Sequence, residues 1–173
     1  MPLPVLNDCR EAKRPKPAVQ DLNWHGTLSA VQKLTDYRLH LAASRSYLAA
    51  HAPIQTRADL SGHRLVGYIP DMIFDKELDY LAELGFATPP LASNSVSVQL
   101  NFLRAGAGLG VVHDFALPAA PNLRKILPDV FSLKRSFYLI RHEDDRRVVR
   151  LSRFAESLSE GIRRELVRLE ALA

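Results

Sequence analysis

Apolar and polar residues alternate over residues 37–44 with the period of a half-buried β-strand. The segment reads YRLHLAAS, in which tyrosine and leucine take every second position. Ser44 then stands where a helix N-cap would be, and residues 45–51 predict a short helix. A helical turn over 57–63 and a second strand over 64–69 follow.

The middle of the chain continues this exchange of helix and strand patterns. Asp71 is placed to cap a helix that ends at Gly85. The apolar side of this predicted helix consists of Leu78, Tyr80, Leu81 and Leu84. After a proline-rich extended segment, Asn94 or Ser95 caps a further helix, whose glycine-rich end leads into a strand and turn over 109–115.

The last third predicts a short helix over 115–120, strands over 123–127 and 136–142, and one long amphipathic helix. This helix runs from Asp144 to the chain end, with Gly161 as a kink or weak point. Because strands and helices alternate, the pattern favours an α/β domain with a mixed or mainly parallel sheet.

The beginning of the chain is rich in proline. Four of the eleven lie within residues 1–20, where apolar periodicity is absent. We therefore expect a flexible N-terminal arm over 1–30 and an ordered domain over 31–173. Residues 21–35 leave two options open, weak order or a strand docked on another surface.

The composition is that of an ordinary globular domain, with 47% hydrophobic and 24% charged residues, which excludes wholesale disorder. No run of about 18 apolar residues occurs, so no membrane span is expected. The start lacks the apolar core of a secretory signal. Cys9 is the single cysteine, which excludes an intramolecular disulfide and a cysteine-based zinc site and agrees with a cytoplasmic location.

The formal net charge is +4, which permits contact with nucleic acid but does not require it. Seven arginines lie between residues 146 and 168. Glutamates interleave with them, for example Glu160 four positions before Arg164, and partly neutralise them. A solvated helix face is the favoured interpretation, and phosphate contact is the alternative.

The sequence contains only weak matches to catalytic motifs. The glycines of GAGLG over 106–110 resemble a dinucleotide-binding loop, but a helix precedes them and a strand follows, the reverse of the required order. The histidines lack metal-ligand spacing. His113 and Asp114 could form a catalytic pair, and a polar strand end is the simpler interpretation. We therefore expect no enzyme activity, cofactor or metal.

The SNS segment over 93–95 offers small polar side chains at a predicted helix start. Free backbone N–H groups at such a position bind an anion or a carboxylate. A plain helix cap explains the same residues equally well.

Four short motifs occur in order between about residues 31 and 160: SRSYL, DLSGHRLVGY, AGLGV and RFAESL. Their order and spacing resemble the effector-binding domain of LysR-type transcriptional regulators. The resemblance implies a fold like that of type 2 periplasmic binding proteins, with a mixed sheet flanked by helices. Two such subdomains are joined by two crossover strands and enclose a small effector.

By this resemblance, residues 31–173 contain the complete second subdomain and the C-terminal part of the first, including the long final helix. The winged helix-turn-helix DNA-binding domain and the first half of subdomain one have no counterpart in the motifs. The expected explanations are a natural truncation, a gene remnant or a misassigned start.

The resemblance also implies which residues face the effector. They lie at the first helix cap, after the second strand, at the start of the second long helix and at the end of the third strand. These residues are Ser44, Tyr68, Ile69, Pro70, Asn94, Ser95, Val96 and His113.

The implied function is that of an effector-sensing and oligomerisation module of a LysR-type regulator. Its partners are a small-molecule effector, for which an anion is one candidate, and further copies or full-length relatives in an oligomer. Direct DNA contact and membrane contact are not expected. The alternative is a basic nucleic-acid-binding protein that uses the arm and the arginine-rich helix, whereas a small hydrolase around His113 and Asp114 is remote.

Association would follow from exposed apolar surface. We expect that surface on the last helix and near Tyr37 to Leu41. Part of it would be covered by arm residues, namely Leu22, Trp24, Leu28 and Val31.

Overall fold

The computed structural model describes residues 29–73, 78–86 and 88–173. The strands in this part of the chain are β1 (Ser29–Ser44), β2 (Leu65–Gly67), β3 (Leu91–Ala92), β4 (Leu109–His113), β5 (Leu123–Lys125) and β6 (Ser132–His142). The α-helices are α1 (Arg45–Ala50), α2 (Val96–Arg104) and α3 (Val149–Glu170). The described helices include none that is long and apolar enough to cross a bilayer.

These strands form one mixed sheet in the order β3-β2-β4-β1-β5, and β6 also pairs with β1. β2 is parallel to both β3 and β4. β1 is antiparallel to β4, β5 and β6. The predicted mixed sheet is therefore confirmed, with parallel pairing limited to the strands around β2.

The strand predicted over 37–44 is the second half of a much longer one. β1 begins at Ser29, where it pairs with His142 of β6, so the end of the predicted arm at residues 29 and 30 is strand instead. The rest of the arm lies outside the described residues, as do Leu22, Trp24 and Leu28. The first half of β1 lacks strict alternation because it forms a two-stranded ribbon with β6, interrupted by a register shift between Lys33 and Thr35.

The single helix predicted after Pro70 is wrong for the described residues. In the part of this segment that the structure describes, 3-10 turns lie at Pro70–Met72 and Ala82–Leu84, and Asp71 lies inside the first turn and is not an N-cap. Gly85 ends the second turn with φ 84°, a left-handed conformation that glycine adopts at no steric cost. Burial of Leu81 and Leu84 in the core, which does not require a continuous helix, accounts for the apolar pattern.

The final helix begins later than predicted. A 3-10 turn over Glu143–Arg147 precedes it, and α3 runs unbroken from Val149 through Gly161. Glu170 Oε1 accepts a hydrogen bond from the Arg38 backbone N–H at 2.8 Å, and Arg163 Nε donates to the Leu34 carbonyl at 2.7 Å. α3 thus satisfies backbone groups of β1 at a sheet edge.

The core lies on both faces of the sheet. Tyr37, Leu39 and Leu41 belong to the larger cluster, and Ala42 belongs to a second one with Val66 and Leu103. The expectation of exposed apolar surface near Tyr37 to Leu41 is therefore wrong. The Tyr37 ring stacks on Phe137 of β6 at 4.4 Å, so the ribbon itself covers this region.

Candidate functional site

The parallel pairing of β2 and β4 brings two predicted site residues to one edge of the sheet. Tyr68 directly follows β2, and His113 ends β4. Tyr68 and His113 line the same open pocket, and Val96 at the start of α2 lines it as well. We call this the β2–β4 pocket; its other lining residues are Tyr80, Gln99, Leu100, Val111, Val112 and Ala116. Ligands of open α/β sheets bind at this place, outside the carboxyl ends of strands.

Pro70 lines a second, adjoining pocket. The two pockets share Tyr68, Tyr80, Gln99 and Val111, so they form one continuous surface. The Tyr68 and Tyr80 rings meet edge to face, with centroids 5.8 Å apart. Burial raises the pKa of the Tyr68 hydroxyl, which therefore stays a neutral hydrogen-bond donor and acceptor.

Ile69, Asn94 and Ser95 build the rim that joins the two elements. Asn94 Oδ1 accepts from the Ile69 backbone N–H at 3.2 Å, which ties the segment after β2 to the start of α2. Ser95 is the N-cap of α2, and its hydroxyl accepts from the Val98 N–H at 3.4 Å. The Asn94 and Ser95 side chains are committed to protein contacts, which fits a positioning role.

Gln99 is a site residue that the sequence reasoning missed. It is buried on α2, and its side-chain Nε2 donates to the Ser93 carbonyl at 2.6 Å. This bond holds the segment before α2 against the pocket. A polar amide three residues after Val96, on the face that turns toward the core, was the available signal.

Ser44 lies at the opposite end of the sheet and does not join the pocket. Ala43 pairs with Leu109, the first residue of β4, whereas Leu39 pairs with His113, the last. The separation along β1 from Leu39 to Ser44 is roughly 17 Å. Ser44 is fully buried and caps α1 by accepting from the Tyr47 N–H at 3.1 Å.

His113 sits in an aromatic environment within the β2–β4 pocket. Its ring centroid lies 5.4 Å from that of Tyr37 and 5.0 Å from that of Phe115. Burial lowers the pKa of His113 to about 4, against the opposing effect of the neighbouring Asp114. The imidazole is therefore neutral at neutral pH and offers one donor and one acceptor.

The hydrogen bonds of the Asp114 carboxylate go to residues other than His113. This carboxylate faces His40 of β1, whose Nδ1 lies 2.8 Å from Oδ1, and Lys125 of β5, whose Nζ lies 3.0 Å from Oδ2. His40 and Asp114 are buried. This ion cluster fastens the turn after β4 to two strands, and the sequence spacing of its members gave no sign of it.

Among the residues that the structure describes, no group of three or more histidine, cysteine, aspartate or glutamate side chains is placed to hold a metal ion. The β2–β4 pocket provides aromatic rings, an amide, hydroxyls and a neutral imidazole. This set binds a small molecule by packing and hydrogen bonding.

Residues 24–163 match the family model of the LysR substrate binding domain. No curated protein sequence matches the chain. Among solved structures, the chain is similar to the regulatory domain of CrgA, a LysR-type transcriptional regulator from Neisseria meningitidis. That likeness has a TM-score of 0.63 and 22% identity, over 79% of this chain and 72% of that one.

Two longer regulators give similar values. CrgA from the same organism matches with a TM-score of 0.64 and 21% identity, over 80% of this chain and 49% of its own. A Corynebacterium glutamicum OxyR C206S mutant matches with a TM-score of 0.57 and 16% identity, over 87% of this chain and 50% of its own. The chain thus spans about half the length of these two relatives, and at such identities the likeness concerns the fold.

Proposed function

Because this chain belongs to the family of LysR substrate binding domains, we propose that it is the effector-sensing and oligomerisation module of a LysR-type transcription regulator. The fold is the α/β, type 2 periplasmic-binding-protein-like fold of that family, with a long C-terminal helix. The observation that carries the proposal is the convergence of Tyr68, Val96 and His113 on one pocket at the carboxyl ends of β2 and β4.

In this proposal the effector rests on Tyr68, Val96 and His113, and Pro70 extends the surface on one side. Ile69, Asn94 and Ser95 position these groups through the hydrogen bonds at the rim. Because His113 is neutral, an anionic effector would depend on backbone N–H groups at the start of α2 for its charge.

The fold offers a route from the pocket to a surface that could report occupancy. His113 is followed directly by a 3-10 turn over Asp114–Ala119, and α3 packs against that turn. A ligand that prefers one position of the strand end would bias the position of the turn and of α3. Such differential affinity for two states is what effector control requires.

Oligomerisation is assigned to the exposed side of α3. Phe154 is 66% exposed, and Leu151 and Leu158 on the same side of the helix are also exposed. These positions fall at i, i+3 and i+7 and form a short apolar stripe. Exposed apolar stripes of this kind favour association with a second copy or with a full-length relative.

The alternative, nucleic-acid binding through the arginines of α3, has weaker support. Arg163 donates to the Leu34 carbonyl, and Arg168 pairs with Glu165 at 2.6 Å. Arginines engaged in this way are less free to neutralise phosphates. A steep loss of affinity with rising salt would be the sign of such binding.

The test is a thermal-shift screen of the whole chain with small aromatic and aliphatic carboxylates, amides and alcohols. Compounds that raise the melting temperature are then titrated calorimetrically against Tyr68→Phe and His113→Asn. We expect each variant to bind at least about tenfold more weakly, the effect of losing one hydrogen bond to the ligand.

Tyr138→Phe on β6 is the matched control, because Tyr138 lies on the ribbon and not among the pocket residues. Unchanged affinity in the control with weakened affinity in both pocket variants supports the proposal. Equal affinity in all four proteins, or no stabilising compound in the screen, contradicts effector binding at this pocket.

A further inference from the structure

Two histidines meet at the end of α1, remote from the β2–β4 pocket. His51 directly follows α1, and His63 follows the 3-10 turn over Ala58–Gly62. Their ring centroids are 6.0 Å apart. Both rings contact the buried Tyr47, which stacks on His51 at 3.9 Å and lies 5.8 Å from His63. Tyr47, a core residue, therefore holds the two histidine rings in place.

The hydrogen bond of His51 determines which ring nitrogen is available. Its Nδ1 lies 2.8 Å from the Tyr47 backbone carbonyl oxygen. Because a carbonyl oxygen only accepts, Nδ1 carries the proton, and Nε2 of the neutral ring keeps its lone pair. A ring that donates one N–H to a backbone carbonyl and offers the other nitrogen is the usual form of a metal-bound histidine.

His63 is held by the same tyrosine. Its Nδ1 lies 3.3 Å from the Tyr47 hydroxyl, which also accepts from the Arg64 N–H at 3.1 Å. The hydroxyl oxygen has two lone pairs, so it can accept from both Arg64 and the Nδ1–H of His63. In that arrangement, the Nε2 of His63 also presents a lone pair, and the Tyr47 O–H no longer donates to His63.

The spacing of the rings suits one shared ion. With Zn–N near 2.1 Å and about 1.2 Å from nitrogen to ring centre, an ion lies about 3.3 Å from each centroid. Two imidazoles on one tetrahedral ion are then about 5.4 Å apart, and about 6.6 Å apart at the linear limit. The observed 6.0 Å falls between these values.

From these contacts, we propose that His51 and His63 form a two-histidine site for a divalent transition-metal ion, of the class of Zn²⁺ or Ni²⁺. Imidazole nitrogen suits these ions and does not suit Mg²⁺. His51 is exposed, so water can fill the remaining coordination positions. The bound ion would clamp the end of α1 to the turn that precedes β2.

The test is calorimetric titration of the tag-free, full-length chain with ZnCl₂, with MgCl₂ as the ion that should not bind. The variants are His51→Asn and His63→Asn. Asparagine keeps a side-chain N–H that can donate to the Tyr47 carbonyl or hydroxyl but removes Nε2, and circular dichroism checks that each variant is folded. His142→Asn is the control, an exposed histidine beside Asp144.

We expect one Zn²⁺ per chain, at least about tenfold weaker binding in each site variant, and unchanged binding in the control. Zinc should also raise the melting temperature of the wild-type chain and of the control but not of the site variants. Zinc binding of equal strength in His51→Asn and wild type, or no zinc binding by the wild type, overturns the proposal.

Discussion

The two ends of the central sheet use the same helix cap for different purposes. Ser44 accepts from the N–H three residues ahead at 3.1 Å, and Ser95 does the same at 3.4 Å. Ser44 is fully buried and also bonds the Ser46 hydroxyl at 2.9 Å, whereas Ser95 is exposed beside the β2–β4 pocket. The Ser44 cap lies at a buried end of the sheet, and the Ser95 cap borders the end with the pocket. Because both ends have the same cap signature, the exposure of the cap is what distinguishes the candidate site.

Close backbone packing explains why the first end is closed. Gly106 has φ 75°, and a Cβ there would meet the Ser46 and Ser44 hydroxyl oxygens at 3.2 and 3.3 Å. Gly67 at the open end is also closely packed, since a Cβ there would meet Leu81 Cδ1 at 2.5 Å and Pro89 Cγ at 3.3 Å. That end nevertheless keeps the β2–β4 pocket beside it, so the two ends differ in the pocket and not in backbone packing alone.

The largest effect should come from Asp114, which anchors the open end. Asp114→Ala leaves His40 and Lys125 without their carboxylate in a buried setting, so we expect a loss of about 3 kcal/mol in the free energy of unfolding. Urea denaturation measures it. Asp36→Ala, which removes a half-buried carboxylate paired with the exposed Lys33 and Lys134, should cost clearly less. Equal losses would mean that the buried cluster is not an anchor.

The next effect concerns His113 and acid. Its pKa is lowered to about 4 by burial, from 6.5, so between these pH values the unfolded chain binds more protons than the folded one. Stability should therefore fall as the pH drops from about 6.5 to 4, with a contribution of at most about 3 kcal/mol from this residue. His113→Asn should flatten the slope in urea unfolding at stepped pH. An unchanged slope would show that His113 titrates normally.

The two caps should differ in cost when each is removed. Ser44→Ala loses a buried cap and should lower the free energy of unfolding by about 2 kcal/mol. Ser95→Ala at the exposed cap should cost about 0.5 kcal/mol, because water replaces the lost oxygen. Thermal and urea unfolding of both variants compare the ends directly. A larger loss for Ser95→Ala would reverse the assignment of closed and open ends.

The smallest effect on stability should come from the apolar stripe of α3. Phe154→Ser removes a side chain that is mostly exposed, so the melting temperature should stay within error while self-association weakens. Sedimentation velocity over a range of concentrations measures the association. Val167→Ser is the control, since Val167 is equally exposed but lies outside the stripe. The same change in mass for both variants would exclude the stripe as the contact.

Local signals in the sequence predicted much of the fold. The Ser44 cap, the strand at Leu109–His113 and the left-handed Gly85 all depend on neighbouring residues, and the structure has them where the pattern placed them. Long-range partners were beyond such signals. The first half of β1 became a strand because β6 lies beside it, and α3 starts at Val149 because the turn after β6 must first bring it back onto β1.

The residues of the candidate site were likewise predictable from local signals only in part. Tyr68 and His113 follow from the rule that parallel strands end at one edge, but that rule needs the pairing of β2 with β4, which no spacing reveals. The helix-cap signal of Ser44 was correct, but Ser44 lies at the end of the sheet opposite the β2–β4 pocket. The partners of Asp114 are 74 and 11 residues away, so this cluster could not be found from local pattern.

The most direct test of effector binding at the open end is a ¹H–¹⁵N spectrum of the whole chain, titrated with the best compound from the thermal-shift screen. Shifts should concentrate at Gly67–Ile69, Ser93–Val96 and His113, with Ser44 and Tyr47 unmoved. Shifts confined to Ser44, Tyr47 and their neighbours, or spread evenly over the chain, would contradict the assignment of effector sensing to the β2–β4 pocket.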